Sequence, residues 1–270
     1  MSRLAPVQAT SHGHPVTSGI RTIDSYVSWG AAEVATAAQH YTEDLVLLPA
    51  SSMHQYHEPL LKDGVSTITG VVVPTGPRES LFKSVRGKRW YVCMQKPFKL
   101  HAKFGEMLRA VLEADPEGLL ILHHAGLAVR DWGLDPSRVH YLAPLPHHEL
   151  MALYRSADVV LDSYYAGGCT TTREALEAGA VVVTLPAKYL GGRWTKAFYD
   201  ILGVSDAVAA DEDDYVALAV SIARDAATRD AIKAKIASNL HKMWRSQDAV
   251  DHWTDVLLRL AHGSGPGSEL

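Results

Sequence analysis

Residues 157–186, ADVVLDSYYAGGCTTTREALEAGAVVVTLP, are the stretch from which the fold can be read. Val159, Val160 and Leu161 make a short apolar run that ends at Asp162, and a small-residue turn, Ala166-Gly167-Gly168-Cys169, follows. Thr170, Thr171 and Thr172 then open a helical pattern with Ala175, Leu176 and Ala178 at helical spacing. Gly179 closes that helix, and Val181-Val182-Val183 begins the next strand. Strand, turn, helix and strand in this order form a unit of a parallel α/β sheet. In such sheets ligands sit outside the carboxyl ends of the strands, and phosphates rest on the helix N-termini that follow them. Glu174 lies one turn into the helix, within reach of a sugar hydroxyl of a ligand whose phosphates rest on the threonines. The same threonines can equally be plain helix caps, and a single glycine turn is a weak sign, so spacing alone leaves both readings open.

Strands and helices alternate outward from this unit. Before it, strands are expected at 90–94, 119–122 and 139–142, with helices at 99–114 and 147–156. After it, helices are expected at 195–202, 212–225, 228–239 and 247–261, the last burying Val250, Trp253, Val256, Leu257 and Leu260. Such alternation implies right-handed crossovers and a parallel sheet with helices on both faces. Toward the amino end, 12–19 is a glycine- and hydroxyl-rich loop, 23–29 and 44–49 read as strands, and the alanine-rich 31–41 reads as a helix. Residues 50–76 show little periodicity. Pro74, Gly76 and Pro77 punctuate the chain there and mark a domain boundary. The glycine-rich tail 263–270 reads as disordered.

Composition narrows the function classes. With 270 residues and 47% hydrophobic content, the chain can bury one large core or two modest ones. A net charge of -4 leaves no basic footprint for nucleic acid, and no apolar run is long enough to span a membrane. Two cysteines, Cys93 and Cys169, argue against a disulfide scaffold and for a reducing, cytoplasmic setting. Several of the fourteen histidines fall in pairs or near-pairs, such as His12 and His14, but none carries a metal-ligand pattern, so no metal is expected.

Between residue 5 and residue 262 the chain resembles glycosyltransferase family 41, the O-GlcNAc transferase and SPINDLY family. The likeness lies in APVQATSHGHPVTSG, HYTEDLVLLP, CMQKPFKL, SRVHYLAPLP, ADVVLD and above all CTTTREALEAGAVVVTLP, in that order. The resemblance implies an α/β, GT-B-like fold. One Rossmann-like C-terminal lobe with a parallel sheet would occupy 86–245, with a partial N-terminal lobe at 1–75 and a last helix, 247–261, returning toward it. It also implies inverting transfer of a sugar from a nucleoside diphosphate to a protein Ser or Thr hydroxyl. The donor would be UDP-GlcNAc, with GDP-fucose the main rival. A non-catalytic nucleotide-sugar-binding module, or the donor-binding half of a split or truncated enzyme, is the alternative.

The resemblance carries roles to particular residues. Lys99 matches the lysine that binds the donor diphosphate, where an ammonium stabilises the leaving group. Gly168 and Cys169 lead into Thr170 and Thr171, which match the threonines that hold phosphate oxygens at their helix start. Glu174 stands where the family has an aspartate on the ribose. Gly13, His14 and Pro15 match a loop on the sugar and acceptor side, with His14 the candidate general base. The chain also departs from the family pattern. Cys169 replaces a histidine, Lys96 replaces a glutamine three residues before the lysine, Leu150 replaces a histidine that packs on the base, and His147 falls where a lysine or histidine lies near it. The chain begins near the end of the family's N-terminal lobe, without its tetratricopeptide repeats. The resemblance leaves open a fragment of a longer gene, a half that needs a partner chain supplying the missing lobe and repeats, or a divergent short protein; the other partners it implies are the nucleotide sugar and a protein or peptide acceptor.

Overall fold

A three-stranded parallel sheet comes first in the chain, built from β1 (Ala9–Ser11), β2 (Ser25–Trp29) and β3 (Asp44–Leu48) in that spatial order. The computed structural model describes residues 2–52, 57–124 and 132–262, so the tail at 263–270 lies outside the described residues. Between β2 and β3, the expected helix at 31–41 is a run of turns ending in a short 3-10 segment, Ala37–His40. Tertiary bonds override alanine propensity there. Glu33 is buried and accepts from Ser28 Oγ at 2.7 Å and Tyr41 Oη at 2.6 Å, and Arg193 Nε donates to Ala32 O at 3.0 Å. A two-stranded antiparallel hairpin, β4 (Leu61–Lys62) and β5 (Val65–Ser66), occupies part of the stretch without periodicity. A one-turn helix, α1 (Arg78–Leu81), leads into the second sheet.

That sheet has five strands, all parallel: β6 (Arg89–Cys93), β7 (Gly118–His123), β8 (Val139–Leu142), β9 (Val159–Leu161) and β10 (Val182–Val183). Their spatial order is β10-β9-β6-β7-β8. Val160 is registered on Val182 and Leu161 on Val183, so the two apolar runs flanking the glycine turn lie side by side as expected. Trp90, Tyr91, Val92, Cys93 and the run Leu119 to Leu122 are buried, and helices cover the sheet. This is why these strands read as continuous apolar runs rather than alternating ones. Burying each Val, Leu or Ile removes its apolar surface from water and contributes about 1.5–3 kcal/mol.

The helices are α2 (Ala102–Ala114), α3 (His147–Ser156), α4 (Thr170–Glu177), α5 (Trp194–Leu202), α6 (Glu212–Arg224), α7 (Ala226–Asn239) and α8 (Gln247–Ala261). α2 buries Phe104, Met107, Leu108, Val111 and Leu112, but it starts three residues later than periodicity suggests. Pro97 sits in a separate 3-10 turn, Pro97–Lys99, and His101 caps the helix by accepting from Lys103 N at 3.1 Å. α8 packs against Ala50–Ser52 of the amino-terminal part. There Ser52 Oγ lies 2.5 Å from His252 Nδ1, and the Trp253 and Trp29 ring centroids are 6.1 Å apart. Val256 is buried while Leu257 is 53% exposed, so the apolar stripe of α8 is narrower than expected. Among the described residues no helix is long and apolar enough to cross a membrane.

The strand order positions the site. From β6 the chain moves to β7 and β8 on one side, and from β9 it moves to β10 on the other. The connections after β6 and β9 therefore diverge and open a crevice at the carboxyl ends of these neighbouring strands, where α/β folds bind ligands.

Candidate functional site

The crevice is bridged by side chains from both connections. After β6, Gln95 Nε2 donates to Thr171 Oγ1 at 2.6 Å, and Lys99 Nζ donates to Gly167 O at 2.9 Å. After β9, Asp162 ends the strand and holds the glycine turn: its Oδ1 accepts from Gly168 N at 2.7 Å and its Oδ2 from Thr184 Oγ1 at 2.8 Å. Asp162 is 4% exposed, and burial pushes its carboxyl group up, against hydrogen bonds from Thr195, Gly168 and Thr184 that favour the ionised form. Thr172 Oγ1 donates to Gly168 O at 3.1 Å and lies 2.8 Å from Thr195 Oγ1. Gly168 is required by space. A Cβ there would lie 2.5 Å from Gln95 Nε2, 2.5 Å from Thr171 Oγ1 and 2.6 Å from Thr172 Oγ1. Tyr165, in the same turn, holds φ at +74°, a left-handed conformation rare for a bulky residue and often found at functional sites.

The turn delivers the amino end of α4 to a cavity of about 340 Å³ lined by Cys169, Thr170, Arg173, Phe198, His12, Gly13 and His57. Cys169 is the N-cap residue but makes no side-chain cap bond. Burial pushes its thiol up to about 11, so it is a neutral wall rather than a nucleophile at neutral pH. On the opposite wall the β1 connection is fixed by Tyr26 Oη donating to His14 O at 2.7 Å and by Glu43, which accepts from Thr17 Oγ1 at 2.6 Å and Ser18 N at 2.8 Å. His12 packs edge-on against Trp29, with centroids 4.8 Å apart, and against Trp194 at 6.0 Å. Burial pushes both His12 and His57 down, which keeps their imidazoles neutral near pH 7.

The residues singled out from sequence divide into three groups. Cys169, Thr170 and Gly13 share the cavity wall, while Lys99, Gly168 and Thr171 surround the glycine turn beside it. Glu174 and His147 meet on the flank of α4, Oε1 to Nε2 at 3.5 Å, with Ser66 Oγ 2.7 Å from His147 Nδ1. Burial raises Glu174 to about 7 and lowers His147, so at neutral pH this contact is not a fully formed ion pair. Lys96, His14 and Pro15 are not among the cavity-lining residues: Lys96 and His14 are exposed, and Pro15 lines a separate hollow with Tyr41 and Tyr189. Sequence reasoning passed over Gln95, Asp162, Arg173 and His57. Gln95 and Asp162 had a readable signal, since each is a polar residue at the carboxyl end of a parallel strand.

A family model described as glycosyl transferase family 41 matches residues 121–246. The probable UDP-N-acetylglucosamine–peptide N-acetylglucosaminyltransferase SPINDLY of Solanum lycopersicum is 27% identical over 252 residues, 89% of this chain and 26% of that protein. The UDP-N-acetylglucosamine–peptide N-acetylglucosaminyltransferase of Caenorhabditis elegans is 29% identical over 147 residues, 52% of this chain and 13% of that protein. A solved structure of a Thermobaculum terrenum O-GlcNAc transferase mutant superposes with a TM-score of 0.78, covering 96% of this chain and 49% of that one at 24% identity. Residues 121–246 match the glycosyl transferase family 41 model, and over most of its length the chain is similar to members of that family. Its likeness is to the C-terminal region of the family, and the fold is the GT-B-like arrangement of the O-GlcNAc transferase structure. The chain spans about a quarter of the length of the SPINDLY relatives it matches.

Proposed function

We propose that this chain provides the donor site of an inverting glycosyltransferase that transfers a sugar from a nucleoside diphosphate to protein Ser or Thr hydroxyls. The observation that carries the reading is the crevice between β6 and β9. There a carboxylate-tethered glycine turn presents the threonine-bearing start of α4 to a cavity that the β1 connection closes from the other side. In this reading Thr170, Thr171 and the free N–H groups at the start of α4 bind the diphosphate. Lys99, anchored on Gly167 O, places positive charge where the leaving diphosphate gains negative charge. Glu174 serves the ribose, His147 the base and Lys96 the donor, while Gly13, His14 and Pro15 border the sugar. The donor is UDP-GlcNAc, the sugar nucleotide in the relatives' names, with GDP-fucose as the rival. Residues 1–75 with α8 act as the N-terminal-lobe part of the site.

A second reading, a non-catalytic nucleotide-sugar-binding module, is favoured by the exposure of His14 away from the cavity wall. A transfer assay with radiolabelled UDP-GlcNAc and a mixed peptide pool separates the two. Multiple-turnover labelling of peptide supports the transferase. Saturable donor binding without labelling supports the binding module. Absence of both removes the proposal.

A further inference from the structure

Arg173 lies in the first turns of α4, is 9% exposed, and lines the cavity. Its guanidinium has five N–H donors, and Nε is buried without a hydrogen-bond partner among the described residues. Its nearest partner is Glu177, with Nε 3.2 Å from Oε1 outside hydrogen-bonding geometry. Glu177 is already engaged: its Oε2 accepts from Leu60 N at 2.5 Å and its Oε1 from Trp244 Nε1 at 3.2 Å. Buried donors left unmade are costly, the more so on a charged group. A cation near a helix start is also opposed by the helix dipole. An anion in front of the guanidinium offsets both penalties.

The other walls point the same way. No carboxylate is among the described residues lining the cavity, and His12 and His57 are neutral near pH 7, so Arg173 supplies its permanent charge. The planar fork matches a pair of oxygens on phosphate or carboxylate. Thr170 and the N–H groups at the start of α4 stand on the same wall.

We propose that Arg173 is the oxyanion receptor of this cavity, binding two oxygens of the ligand through its guanidinium fork. The proposal rests on the nucleotide-sugar reading of the same cavity. The oxyanion is either the donor's diphosphate or a carboxylate carried by its sugar.

The test is calorimetric titration of the full chain and of Arg173→Gln with UDP, UDP-GlcNAc, UDP-glucuronate and inorganic pyrophosphate. Gln keeps a polar side chain at this position and loses the charge. A weakening of about tenfold or more for UDP, UDP-GlcNAc and pyrophosphate alike identifies the diphosphate. Unchanged UDP binding with loss of a wild-type preference for UDP-glucuronate identifies the sugar carboxylate. If wild type binds pyrophosphate but no nucleotide, and Arg173→Gln loses pyrophosphate, the receptor stands while the nucleotide reading falls. Variant binding equal to wild type for every ligand overturns the receptor and leaves the nucleotide reading intact. Wild type binding none of the four overturns both. If Arg173→Gln does not fold, wild-type Arg173 is modified with phenylglyoxal and mapped by peptide mass spectrometry. Protection by saturating UDP or pyrophosphate is expected, and equal modification with and without them overturns the proposal.

Discussion

Replacing Asp162 with Ala tests how the glycine turn is held. The carboxylate is buried and accepts from Gly168 N–H and Thr184 Oγ–H, so the substitution strands these two buried donors, while Thr195 keeps Thr172 Oγ1 as a partner. Each stranded donor costs about 1–3 kcal/mol, giving a loss of about 2–5 kcal/mol once relief of the carboxylate's own desolvation is allowed for. That is a large share of the ~5–15 kcal/mol that holds a typical domain. Asp162→Asn keeps one oxygen for Gly168 N–H, and the Thr184 hydroxyl can rotate to accept from the new amide, so its loss is about 1–2 kcal/mol. Urea unfolding followed by far-UV circular dichroism gives both values, with the slope checked for constancy. The expected order of stability is wild type, then Asn, then Ala. An Ala variant within about 0.5 kcal/mol of wild type, the ordinary range for a surface change, refutes the tether.

Other expectations concern the turn and the flank of α4. Gly168→Ala places a methyl 2.5 Å from both Gln95 Nε2 and Thr171 Oγ1. It should destabilise by about 1–3 kcal/mol in the same urea experiment and weaken UDP binding by displacing the turn. Burial raises Glu174 to about 7, well above the ordinary glutamate value near 4.5, so the folded protein holds an extra proton between these values. Its contribution to stability is complete below about pH 4.5 and is lost as pH rises through 7, by up to about 3 kcal/mol. Glu174→Gln should therefore match wild type at pH 5 and exceed it at pH 8 in thermal melts; equal melts at both values would show that burial does not govern this group.

The parts of the fold legible in the sequence are those set by local periodicity. The ranges of α3 and α8 and the strands flanking the glycine turn follow from apolar spacing and apolar runs in the local sequence. The segment 31–41 was not legible, since Glu33 and Ala32 are held by partners that the local pattern does not contain. In the site, the glycine turn and the threonines announce themselves as one contiguous run. The contacts that orient them do not. Gln95 reaches Thr171 across 76 residues, and His12 and Arg173 meet the same cavity from opposite ends of the chain. His12 and His14 look equivalent in sequence, and only the packing of His12 between Trp29 and Trp194 separates them. Glu174 and His147 each carry a readable charge, but their proximity depends on how α3 packs against α4.

Donor binding is the claim on which the whole account turns, and titration calorimetry of the chain with UDP, GDP, UDP-GlcNAc and GDP-fucose measures it directly. The account predicts saturable one-to-one binding of at least one nucleotide. It also predicts a loss of about 1–3 kcal/mol on Thr171→Ala or Lys99→Ala, the size of one charge-assisted contact. Absence of binding by all four compounds to a folded protein, or identical binding by both variants, would contradict it.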